Sequence, residues 1–180
     1  MRSRKTSALH AGRISIPGAT YFVTGCVFPR RDCLASSSAI REIHAMWADF
    51  DARGDTTTLA ATVMPDHFHW LFVLGPRLAL GRVLAKFKTH TGKLLNVAGA
   101  DWQRDFFEHR LRESESEEGY GFYIYMNPYR ARLIAIGAPW PGWHCPRSDR
   151  FSFSSMLDSK GSPPPQWLEL PVDERLHVGA

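Results

Sequence analysis

Apolar residues along this 180-residue chain follow two periods, and the switches between them predict the elements. The β-branched and aromatic run YFVTGCVF at 21 to 28 reads as a first strand. Serines 36 to 38 offer an N-cap, and behind them Ile40, Ile43, Trp47 and Phe50 recur at i, i+3, i+7 and i+10. That spacing marks one face of a helix, which stops at Gly54. TLAATVM (58 to 64) and HFHWLFVL (67 to 74) read as two strands joined tightly through Pro65-Asp66, and the proline excludes a helical hairpin. Leu80, Val83, Leu84 and Phe87 define a second amphipathic helix. FFEHRLR (106 to 112) reads as a fourth strand. A third helix is predicted from Glu113 to about Met126, opened by Glu113, Glu115, Glu117 and Glu118, which suit its positive end, and interrupted by Asn127-Pro128.

The order β-α-β-β-α-β-α predicts an α+β fold of the ferredoxin-like split βαβ type: an antiparallel sheet with helices on one face and the other face free. Three segments are expected. Residues 1 to 14 form a flexible basic arm, 15 to 137 a folded domain, and 138 to 180 a proline- and aromatic-rich extension that wraps the domain rather than folding apart. There is no internal repeat.

Composition adds the partner. With 44% hydrophobic, 22% charged and 12% aromatic residues, the chain fits one ordinary soluble domain with tails. Its formal net charge is +4 and the sequence pI about 9.1, which excludes an acidic solvating protein. Residues 1 to 31 hold six Arg/Lys and no acid, and residues 67 to 100 hold five and none. One-signed stretches of this kind are the footprint of nucleic-acid binding. Arg2, Arg4, Lys5 and Arg13 on the arm, with Arg82, Lys86 and Lys93 along an unneutralised face of the second helix, are the expected DNA contacts. Three cysteines without a CxxC pair indicate neither a disulfide framework nor a thiolate zinc site, so a reducing compartment is expected. No signal or membrane helix is predicted, and the reading is a cytoplasmic, nucleoid-associated protein without a membrane partner.

The most specific chemistry is His67-Phe68-His69 inside a strand. Alternation puts both imidazoles on one face with Cα atoms roughly 6.6 Å apart, close enough to share one metal, while Phe68, Trp70 and Phe72 point to the helices. The plain alternative is two histidines at i, i+2 by chance. A strand whose opposite face is wholly aromatic is central, however, and imidazoles in the middle of an open sheet face need a purpose.

Four of the five tyrosines, Tyr120, Tyr123, Tyr125 and Tyr129, fall within ten residues. Tyr123 and Asn127 are i and i+4 and share a helix face; Tyr120 lies three residues before Tyr123 on that face, and Tyr125 is turned about 200° away. Tyr125 is therefore expected to pack. The Asn127 amide oxygen could supply a third ligand beside the histidines, with the Tyr123 hydroxyl one turn from the metal. The alternative is that the tyrosines are core residues. Gly119 and Gly121 each cost this helix roughly 1 kcal/mol relative to alanine, and freedom of the helix to move is one reading of them.

These residues resemble a known family. MPDHFHWLF (64 to 72) looks like the His-hydrophobic-His motif of the single-tyrosine HUH transposases, with Asp66 where the family often has asparagine. YIYMNPYRARLI (123 to 134) looks like their tyrosine helix with its NP-x-[KR]-A-x-L ending. PGATYFVTG (17 to 25) and WQRDFFEHRLR (102 to 112) resemble the REP-associated tyrosine transposases, so the likeness covers roughly residues 13 to 137. The resemblance implies an HUH endonuclease domain acting on single-stranded or hairpin DNA as a monomer or homodimer. It implies His67 and His69 as metal ligands, Asn127 as the third, Tyr123 as nucleophile and Mg²⁺ or Mn²⁺ as cofactor, although two imidazoles would also bind Zn²⁺.

The expected function is thus a transposase that cuts and rejoins single-stranded DNA near palindromic repeats through a 5′-phosphotyrosine. A phenol with a pKa near 10 needs the phosphate it attacks to be polarised, which a divalent cation does. Two rivals stay open: a domesticated hairpin-binding protein that no longer cleaves, and a metal-dependent hydrolase that uses water.

Overall fold

The computed structural model describes residues 15–172. Arg2, Arg4, Lys5 and Arg13 lie outside the described residues. The elements are β1 (Thr20–Phe28), α1 (Ser37–Ala52), β2 (Thr56–Val63), β3 (His67–Leu74), α2 (Leu80–Asn96), β4 (Asp101–Trp102), β5 (Phe107–Arg110), α3 (Glu117–Arg130) and β6 (Trp143–His144), followed by three short 3₁₀ turns. The sheet runs β4-β1-β3-β2-β6, with β5 also on β1, and every pairing is antiparallel. The α+β class and the split βαβ order are those the sequence pattern predicts.

β3 is central because both of its faces are covered. Phe68, Trp70, Phe72 and Leu74 join Val23 and Val27 of β1, Ile43, Trp47 and Phe50 of α1, and Val83, Leu84 and Phe87 of α2 in one buried cluster. At Gly25 of β1 a Cβ would lie 2.3 Å from the Phe68 ring, so the missing side chain is the notch that seats Phe68 between the two histidines. Ser36 caps α1 by accepting a hydrogen bond from the Ala39 N–H, and Gly54 ends the segment with a positive φ of 68°.

The other sheet face is not free. α3 lies across it, and Ile124, Met126 and Tyr123 pack on Phe22, Leu59, Ala60 and Leu71 with Phe151, Phe153 and Trp167 from beyond residue 137. Helices therefore sit on both faces, two on one and α3 on the other. A side chain as apolar as Leu71 has to be covered, and the aromatic segments after α3 complete that cover.

α3 also departs from its predicted bounds. It starts at Glu117, leaving Glu113 and Glu115 in the preceding turn, and it runs through Asn127-Pro128 to Arg130. Pro128 removes only the bond to one carbonyl in the last turns. The Ala131 N–H still reaches the Asn127 carbonyl at 2.9 Å, and the Leu133 N–H reaches that of Pro128 at 3.0 Å. Two buried phenols hold the end down: Tyr125 donates to the Gly161 carbonyl (2.8 Å) and Tyr129 to that of Ala138 (3.0 Å). Tertiary packing outweighs the proline.

The glycines of α3 have separate explanations. A Cβ on Gly121 would meet the Phe151 ring at 2.3 Å, whereas Gly119 has nothing within 4 Å. Gly121→Ala should destabilise the protein by about 1–3 kcal/mol through overpacking, and Gly119→Ala should stabilise it by roughly 0.5–1 kcal/mol. Urea unfolding of both variants checks the opposite signs.

β6 closes the far edge, where His144 lies 4.9 Å, centroid to centroid, from His44 and 5.8 Å from Trp47. Burial, then the neighbouring His44, lowers the His144 pKa to about 4. The folded protein thus resists a proton that the unfolded chain accepts near pH 6.5. The stability linked to His144 is complete above that pH and is lost as pH falls toward 4. Melting temperature should fall between pH 7 and 5, and less steeply in His144→Gln.

Candidate active site

The two histidines are raised from successive outward positions of β3 and lie under α3, buried: His67 is 8% exposed and His69 1%. The expectation of exposed imidazoles on an open face is corrected by the helix that covers them. Their ring centroids are 4.8 Å apart. β1 sets their surroundings by register, since Cys26 is opposite His67 and Thr24 opposite His69.

Each ring has its Nδ1 occupied by a neighbour. His67 Nδ1 donates to Asp66 Oδ1 at 2.6 Å, and the other Asp66 oxygen accepts from Arg30 at 2.6 Å. The bond from His67 is the main reason the Asp66 carboxyl is held down at about pH 2, against the opposing effect of burial and with help from Arg30. His69 Nδ1 lies 2.8 Å from the buried Thr24 hydroxyl. On the other side of the rings, the Asn127 amide nitrogen stands 3.1 Å from His69 Nε2, and His67 Nε2 is buried without a hydrogen-bond partner among the described residues.

α3 carries Tyr123 and Asn127 at i and i+4 on the face toward the histidines, while Arg130, three residues further on, lies over the Phe122 ring at 5.6 Å and reaches the Leu170 carbonyl at 3.4 Å. The Tyr123 ring is 5.4 Å from His69 and 6.0 Å from Phe22, and its hydroxyl shares a hydrogen bond with the Asn127 side chain. Burial raises the Tyr123 pKa, while Asn127 and the Arg130 charge pull it back. Arg130 itself is lowered by burial and raised by Tyr123.

The other phenols face elsewhere. Tyr120 stacks at 5.8 Å on His109 and donates to Glu115 at 3.3 Å, and Glu115 also binds His109 at 2.8 Å. Tyr125 and Tyr129 are tied to carbonyls of the C-terminal segment. The geometry thus brings together His67, His69, Asn127 and Tyr123 and sets the remaining tyrosines apart.

The basic face of α2 is partly corrected. Lys93 lies 3.5 Å from Glu42 of α1 and is not unneutralised. Arg82 is exposed and Lys86 half-buried, and neither has an ion pair among the described residues.

The donor set suits a divalent cation. Two neighbouring imidazoles present one orphan nitrogen, His67 Nε2, and one that faces the Asn127 amide, His69 Nε2. Among the described residues no group of three His, Cys, Asp or Glu side chains could hold a metal.

A split βαβ sheet with paired imidazoles facing a helix-borne tyrosine is the arrangement expected of a single-tyrosine DNA transposase. Residues 17–119 match the family model described as Transposase IS200 like, and the chain belongs to that family. The match takes in both histidines and stops short of Tyr123. The chain is 28% identical over 133 residues to the REP-associated tyrosine transposase of Escherichia coli (strain K12), covering 72% of this chain and 78% of that protein. Its fold is similar to that of the REP-associated tyrosine transposase solved bound to a REP hairpin. The TM-score there is 0.60 at 21% identity, over 79% of this chain and 82% of the other. No helix among the described residues is long and apolar enough to cross a membrane.

Proposed function

We propose that this transposase cleaves and rejoins single-stranded DNA beside hairpins, with Tyr123 as nucleophile and His67, His69 and Asn127 holding Mg²⁺ or Mn²⁺. The observation that carries the reading is the buried, unpartnered His67 Nε2 turned into the space shared with His69 and the tyrosine face of α3. A buried imidazole nitrogen left without a partner costs about 1–3 kcal/mol, which coordination would offset. The hairpin substrate follows the REP-associated tyrosine transposase solved bound to a REP hairpin.

When bound, the cation would polarise the scissile phosphate and offset the charge that develops there. Tyr123 would attack phosphorus with its phenolic oxygen, its proton passing to solvent water. The P–O3′ bond breaks, the 3′ oxygen takes a proton, and the 5′ end stays on the tyrosine. The ester energy is kept, so the same residues serve rejoining by a 3′ hydroxyl. Arg130, one turn past Asn127, would stabilise the phenolate that burial disfavours. In this reading residues 15–137 are the catalytic domain, the described part of the C-terminal extension, 138–172, covers the tyrosine helix, and 1–14 contact DNA.

Incubation of the protein with a labelled hairpin oligonucleotide and Mn²⁺ tests the reading. A covalent adduct supports it, binding without an adduct indicates a domesticated binder, and cleaved product without an adduct indicates a hydrolase.

DNA affinity should fall steeply with salt. Charge reversal at Arg82 or Lys86 should each lower the log-log salt slope by about 0.7 for single strands or 0.9 for duplex, and reversal at Lys93 by less because Glu42 already faces it. Filter binding across a salt series measures the slopes.

A further inference from the structure

The turn between β2 and β3 reverses the chain and also grips the first histidine. Asp66 is fixed three ways: its carbonyl accepts from the Val27 N–H at 2.9 Å, Oδ2 accepts from Arg30 Nη1 at 2.6 Å, and Oδ1 accepts from His67 Nδ1 at 2.6 Å. An ionised carboxylate only accepts, so the ring nitrogen facing it must carry the hydrogen. In the neutral ring Nε2 then keeps its lone pair. That nitrogen is the buried one without a partner among the described residues. His69 repeats the pattern with a weaker partner, the Thr24 hydroxyl on Nδ1 and the Asn127 amide against Nε2.

We propose that Asp66, braced by Arg30, is a positioning residue that locks His67 in its Nδ1–H form and turns Nε2 into the space between His69 and Asn127. The lock needs the two separate oxygens of a carboxylate, one for the guanidinium and one for the imidazole. Asparagine at this position has a single acceptor oxygen, and its NH₂ group would face one of two donors. Arg30 is 38% exposed and Asp66 25% in their side chains, so the brace stands at the mouth of the site while the ring it controls lies inside. A partner on the far nitrogen of a ligand histidine fixes the ring and strengthens it as a ligand, and its loss typically weakens metal binding 10- to 100-fold. The purpose given to the lock rests on the proposed function; its geometry does not.

The test uses the full chain, ¹⁵N-labelled and metal-free at pH 8, with His67 identified through His67→Gln. Long-range ¹H–¹⁵N spectra should show His67 as a single Nδ1–H tautomer in the wild type and as a mixture in Asp66→Asn and Asp66→Ala. In a parallel Mn²⁺ titration followed by electron paramagnetic resonance, both variants should bind about 10- to 100-fold more weakly, with part of the loss recovered in Asp66→Glu. The near-isosteric Asp66→Asn keeps the test valid should Asp66→Ala fail to fold. An unchanged His67 tautomer in folded Asp66→Asn overturns the proposal, as does wild-type Mn²⁺ affinity in that variant. A locked ring in a wild-type protein that binds no Mn²⁺ supports the lock and overturns the metal reading.

Discussion

Tyr123→Phe is expected to remove the covalent protein–DNA adduct entirely and to leave hairpin affinity within about twofold of wild type, the range of a substitution that keeps the packing. The variant deletes one oxygen and retains a ring held between Phe22 and His69. Tyr125→Phe loses only the bond to the Gly161 carbonyl, far round the helix, and should still form the adduct. Denaturing gels of labelled oligonucleotide after incubation with each variant separate the two outcomes. Equal loss in both variants would mean that the helix, rather than one hydroxyl, is what matters.

His69→Gln should lower cleavage at least about a thousandfold, because removing a ligand forfeits several kcal/mol of charge stabilisation at the phosphate. The conservative variant matters here. His69 is buried against Phe22 at 5.5 Å and Tyr123 at 5.4 Å, so truncation to alanine would open a cavity and destabilise the fold as well. Circular dichroism should show His69→Gln folded, and Mn²⁺ titration should show its binding weakened. Cleavage at the wild-type rate by folded His69→Gln would remove the histidines from the chemistry.

The local signals that read well were those set by periodicity. The i, i+3, i+7 spacing of Ile40, Ile43 and Trp47 placed α1, and the alternation about Phe68 placed both imidazoles on one face, because both patterns follow from backbone geometry alone. Two things were hidden. Leu71 and Leu59 gave no sign of which element would cover them, so the pattern alone leaves open the sheet face that α3 covers. The continuation of α3 past Pro128 depends on phenol bonds to Gly161 and Ala138, contacts 36 and 9 residues away in sequence. For the site, the i, i+4 relation of Tyr123 and Asn127 was legible. The partners of the histidines were not: Thr24 reaches His69 across 45 residues through strand register, and Arg30, just past β1, reaches Asp66 in the β2–β3 turn across 36.

The central claim is that one phenol among four neighbours carries the DNA. Peptide mapping of the adduct formed on a hairpin substrate tests it most directly. After proteolysis and nuclease trimming, mass spectrometry should find the nucleotide remnant on Tyr123, in the peptide that also contains Asn127. Attachment at Tyr120, which the structure ties to Glu115 and His109, would contradict the site described here, as would the absence of any adduct with Mg²⁺ or Mn²⁺.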